Sequence, residues 1–229
     1  MARIFSVLAL LALLLLAANF VVGLAGGDFN VAARQKRAAQ RRFEDADRKL
    51  RVSRETTSLE WEQAKRDLHE SSAEYRRPRS LMTLHMLLGS GAALVTVLVN
   101  SIAITYFIGT SRWCKEVCET YGLPPELAER STSLKRSTFP WALAGILSVI
   151  GIIGLGAAAD PTGANFERAP LFVLPHYLAA LAGLAIIALA FWVEITRIAE
   201  NYAVIEEILG EVRRIRAENH LPQEVVAAP

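Results

Sequence analysis

The chain offers little chemistry, and what it offers lies inside or beside long apolar stretches. Two histidines, His85 and His176, are the ionisable residues within the apolar spans as bounded here, 81–109 and 170–193. Neutral imidazoles on facing helices can ligate a haem iron or a metal ion. If the spans alternate in direction, the second and fourth run the same way. Both histidines lie near the N-terminal ends of those spans, so they come to similar depth on the same face. The competing expectation is an interfacial histidine near lipid headgroups, which suits His176 in the first turn beside Pro175. No cofactor is expected, and His85 and His176 are the candidates if one binds.

Asn100 and Ser101 sit toward the second half of the second span, with Thr105 and Tyr106 close behind. Asn100 is expected to hydrogen-bond to a neighbouring helix, a contribution of about 0.6–2 kcal/mol. Lining a polar pathway is the alternative, but no buried acid or base is expected to accompany it. Cys114 and Cys118 share a helical face at i, i+4, a spacing poorly suited to a disulfide. A metal site would need more Cys or His nearby. Palmitoylation or a redox role fits juxtamembrane thiols, but small buried hydrophobes are the expectation. No GxxxxGK[ST], HExxH, CxxCH or GxSxG occurs, so catalysis has no support from motifs.

The elements that must position these residues follow from where the charges fall. The 229 residues carry 25 Lys plus Arg against 23 Asp plus Glu, and 52% are hydrophobic. The apolar residues gather into four blocks with nearly all charges between them, the signature of a multi-pass membrane protein. A net charge of +2, with acids and bases interleaved, excludes a nucleic-acid footprint. Residues 81–109 contain no Asp, Glu, Lys or Arg. As a helix they reach roughly 43 Å, more than the roughly 30 Å of a hydrocarbon core.

Residues 1–25 form a first span or a signal peptide. The apolar run exceeds a typical h-region, which favours a retained anchor. Within 26–80, a segment without Pro or Gly from 31 to 75 predicts one long extramembrane helix, with Asn30 as its N-cap and Pro78 ending it. Thr57, Trp61, Ala64, Leu68, Ser71 and Tyr75 alternate in spacings of four and three, a heptad-like seam. Residues 110–139 form a polar helical loop. In it Gly122 is a C′ residue, Pro125 opens a short helix, and Pro140 can begin the third span over 140–159. Asp160-Pro161-Thr162-Gly163 is a turn, making spans three and four an antiparallel hairpin. Beyond the fourth span, Ile195, Ile198, Tyr202, Ile205, Leu209 and Val212 repeat at three and four in an amphipathic helix over 194–217. A disordered tail over 218–229 follows.

The expected fold is an all-α membrane protein: four transmembrane helices, a long extramembrane helix and a helical C-terminal extension. The expected role is non-catalytic, scaffolding or partner binding through the two seams. A subunit of an oligomeric channel or transporter is the alternative, with Asn100 facing the pore, and a redox protein using His85 and His176 is a further one. The partners implied are the lipid bilayer and either further copies of the chain or another membrane protein, with no nucleic acid. The cell's plasma or inner membrane is the expected location. The signal-like N-terminus and the unpaired cysteines favour cytoplasmic termini.

Overall fold

Apolar length dictates the architecture, and the computed structural model shows how it is used. It describes residues 2–53, 57–163, 166–220 and 222. The described residues are 92% helical, with no strand among them. Its helices are α1 (Ala2–Ala25), α2 (Phe29–Ser53), α3 (Leu59–Tyr121), α4 (Pro125–Ala159) and α5 (Ala169–Glu218). Helices α1, α3, α4 and α5 are each long and apolar enough to cross a membrane. Leu14, Leu94, Leu98, Ile150, Leu178 and Trp192 point outward, an arrangement that water penalises and lipid tails accept. This is an all-α membrane protein. The tail beyond residue 220 lies outside the described residues apart from Pro222.

The fold divides into two compact units. One comprises Met1–Leu14, Ala92–Ile150 and Leu181–Pro229; the other comprises Leu15–Gly91 and Gly151–Ala180.

In the second unit the expected single helix over 31–75 is two helices. The ring of Phe43 meets Trp61 at 6.0 Å and Phe29 stacks on Tyr75 at 5.6 Å. Both pairs have residue numbers summing to 104, the mark of an antiparallel hairpin. Trp61 Nε1 donates to Asp47 at 3.3 Å, and Lys49 pairs with Glu60 at 2.7 Å. The cue was local: Ser58 caps α3 by accepting the amide of Trp61 at 3.2 Å, with Glu60 and Glu62 in the first turn. The start of α2 also differs. Phe29 is its first residue, and Asn30 donates to the carbonyl of Ala159 at 3.4 Å instead of capping.

Pro78 does not end a helix but lies inside α3. A helical proline forfeits a hydrogen bond. Here Tyr75 and Met82, one on each side of it, pack on the same cluster with Phe29 and Ala33, and the helix continues past the proline. Pro140 is likewise internal to α4, where the hydroxyls of Ser137 and Thr138 both bond back to the carbonyl of Leu134. The expected polar loop over 110–139 is therefore the continuation of two spans, broken only at residues 122–124. That break is built as expected. Gly122 has φ 65° and Leu123 N–H returns to the carbonyl of Cys118 at 2.9 Å, after which Pro125 opens α4. The turn at Asp160 holds as well, its carboxylate accepting both the amide and the hydroxyl of Thr162 at 2.8 Å.

In the first unit the C-terminal stripe is buried in its own chain. Ile205, Leu209 and Val212 pack with Cys114, Cys118, Leu123 and Leu127, and Ile198 is 3% exposed. Tyr202 faces out and Ile195 is half-buried. A seam expected to reach a partner is closed instead by the ends of α3 and α4. Arg130 adds a surface ion pair to Glu207 at 2.6 Å.

Candidate functional site

Polar residues placed inside a lipid-facing bundle mark where chemistry can occur, since each must find a partner or remain costly. The first unit contains such a core: Thr96, Asn100, Thr110, Ser111, Ser131, Thr138, Glu194 and Asn201 are all buried.

One half of this core is fully satisfied. Asn201 on α5 donates to Thr110 Oγ1 at 3.0 Å and to Tyr106 Oη at 3.2 Å, both on α3. Its carbonyl oxygen accepts from Ser131 on α4 at 2.8 Å, and Ser131 meets Ser111 on α3 at 3.2 Å. One amide thus ties three helices together.

The other half is not. Glu194, fully buried, has no hydrogen-bond partner on either carboxylate oxygen. Asn100, also fully buried, donates to the carbonyl of Thr96 at 2.8 Å, while its Oδ1 has no partner. Asn100 does not glue helices as expected; it bonds to its own helix and lies against Gly145 of α4. A Cβ at Gly145 would fall 2.6 Å from Asn100 Oδ1, so only glycine admits the amide there. Ser101, half-buried, bonds back to Val97 at 2.7 Å and takes no part.

Register brings these groups to a similar level of the unit. Asn201 sits opposite the turn of α3 bounded by Tyr106 and Thr110, and Glu194 precedes Asn201 by seven residues on one face of α5. Seven residues back along α3 are Val99 and Ala103, so Glu194 lies within about one helical turn, roughly 5 Å, of the level of Asn100. Seven residues on from Ser131 along the antiparallel α4 is Thr138, whose hydroxyl donates to Leu134 and keeps its lone pairs free. The buried atoms without partners in this unit, among the described residues, are all acceptor oxygens.

Glu194 escapes the sequence because the apolar run of the fourth span, bounded at Val193, ends one residue before it. Asn201 escapes because it sits within an amphipathic stripe. The signal was present: both follow Ile187 at intervals of seven on the face that α5 buries.

The second unit brings His85 and His176 together, with ring centroids 6.2 Å apart. His85 Nδ1 lies 3.1 Å from the carbonyl of Asn19 on α1, and His176 Nδ1 is buried without a partner. Of the first expected seam, Tyr75 and Ala64 are buried, while Trp61 and Leu68 are half-buried. Cys114 and Cys118 are free and buried, and desolvation raises both thiols above their ordinary value. Compared with known proteins, the chain matches no family model, no curated protein and no solved structure.

Proposed function

We propose that this is a non-catalytic, multi-pass membrane protein that handles a small hard cation within its helical interior, in the manner of a channel or transporter subunit. The observation that carries the reading is Glu194: a carboxylate buried in a membrane bundle with both oxygens unpartnered. Burying such a group costs several kcal/mol unless a cation or proton compensates it, so its retention needs a use. Asn100 Oδ1 and the hydroxyls of Thr96 and Thr138 supply neutral oxygens on the facing helices, the ligand type that hard cations prefer. The bilayer is the first partner, and further copies of the chain are the second.

Purified protein in liposomes would be tested for proton flux with an entrapped pH dye and for sodium flux with a tracer. Flux is expected from the wild type and at least tenfold less from Glu194→Gln and Asn100→Leu. Wild-type liposomes as tight as empty ones to both ions would sink the proposal.

Partner binding is the second reading, now through the α2–α3 arm rather than through the C-terminal stripe. Val52 and Leu59 support it, since they flank the end of the hairpin and are 81% and 80% exposed. A detergent-solubilised mass unchanged by Val52→Glu with Leu59→Glu, and equal to one chain throughout, would remove this reading.

A further inference from the structure

The histidine pair has the features of an axial ligand set. His85 comes from α3 and His176 from α5, and their ring planes stand 85° apart. Two imidazoles on one iron hold their ring centres about 6 Å apart, given iron–nitrogen bonds of about 2 Å. The observed separation is 6.2 Å.

The surroundings suit ligation. When His85 Nδ1 carries the proton, it donates to the carbonyl of Asn19 at 3.1 Å and leaves Nε2 as a free lone pair. A backbone carbonyl holding the far nitrogen in this way is how proteins orient a metal-bound imidazole. On α5, Tyr177 beside His176 donates its hydroxyl to the carbonyl of Gly23 at 3.0 Å, and Phe20 meets the Tyr177 ring edge-on at 6.4 Å. That pairing fixes the first turns of α5 against α1. Each imidazole also lies over a glycine: a Cβ at Gly23 would come 3.0 Å from His85 Cε1, and one at Gly156 would come 3.0 Å from His176 Cε1. Any larger residue would push the rings away from these positions.

The number of ligands selects the guest. A bare zinc or copper ion wants three or four protein ligands. No group of three or more His, Cys, Asp or Glu that could hold a metal ion occurs among the described residues. A haem iron brings four nitrogens of its own and asks the protein for two. We propose that His85 and His176 are the two axial ligands of a b-type haem held between α3 and α5.

The test uses the full chain purified in detergent from cells fed a haem precursor, followed by titration of haem-free protein with hemin. The expected result is a Soret band with the sharp visible bands of six-coordinate low-spin iron after dithionite, and one haem per chain by pyridine haemochrome. His85→Ala and His176→Ala should each lose the low-spin spectrum, with added imidazole restoring it, while His69→Ala and His220→Ala change nothing. Should the alanine variants fail to fold, His176→Met keeps a sixth ligand and should shift the spectrum and raise the midpoint potential. Wild-type protein that gives no low-spin complex with hemin overturns the proposal. So does hemin binding that both alanine variants share unchanged. Neither result bears on ion flux through the Glu194 unit, which is read separately.

Discussion

Glu194 and Asn201 stand seven residues apart on the buried face of α5, and they meet opposite fates. Asn201 makes three hydrogen bonds to α3 and α4, whereas neither oxygen of Glu194 has a partner. In a bundle where lipid offers no hydrogen bonds, the first residue holds the structure together and the second strains it. Substitutions should separate the two roles.

Glu194→Leu should raise stability while abolishing ion flux. Removing an unsatisfied buried group is expected to stabilise by about 1–3 kcal/mol. Thermal unfolding in detergent, followed by tryptophan fluorescence, reads the direction. A clear loss of stability would show that the carboxylate is structurally paired.

Asn201→Leu should destabilise by about 1–3 kcal/mol, because Ser131, Thr110 and Tyr106 lose a common partner. Combining it with Ser131→Ala should cost less than the sum of the single changes, since both act on one network. Additive losses would mean the bonds are independent of each other.

Gly145→Ala should cost about 1 kcal/mol or more by driving a methyl into Asn100 Oδ1. The same change in an Asn100→Ala background should be nearly neutral. If the two backgrounds behave alike, the close approach of α3 and α4 at this level is wrong.

Cysteine substitutions at Phe43 and Trp61, in a chain lacking Cys114 and Cys118, should be joined within one chain by a short bifunctional maleimide. The native rings are 6.0 Å apart across the α2–α3 hairpin. An unbroken helix over 31–75 would hold these positions about 27 Å apart and give no intrachain product.

Native Cys114 and Cys118 should react slowly with a maleimide at neutral pH and quickly after denaturation. The reactive species is the thiolate, and burial raises both thiols, so less thiolate exists in the folded chain at any given pH. The rate should climb as pH approaches the raised values. Equal rates in folded and denatured protein would place both thiols in water rather than in the cluster with Ile205 and Ile208.

The α2–α3 hairpin shows why some elements escaped the sequence. Between 31 and 75 helix propensities differ by less than about 1 kcal/mol per residue, and nothing there forbids a helix. Packing of the half-buried Trp61 against Phe43 and Asp47 favours the hairpin, and that contact joins residues far apart in the chain. The same argument applies to Pro78, tolerated because Tyr75 and Met82 share one partner surface. The meeting of His85 with His176 was legible, because two spans running in one direction must bring corresponding depths together.

The sequence by itself determined the membrane spans, the Gly122 break and the Asp160 turn. Each depends on properties local to the chain: some twenty apolar residues in a row, a residue free to adopt positive φ, a carboxylate beside its own backbone. Only the tertiary structure decided that the C-terminal stripe closes on Cys114 and Leu127, that Asn100 faces Gly145, and that Glu194 is left without a partner. Burial and hydrogen-bond satisfaction belong to pairs of residues, and the second member of each pair lies on another helix.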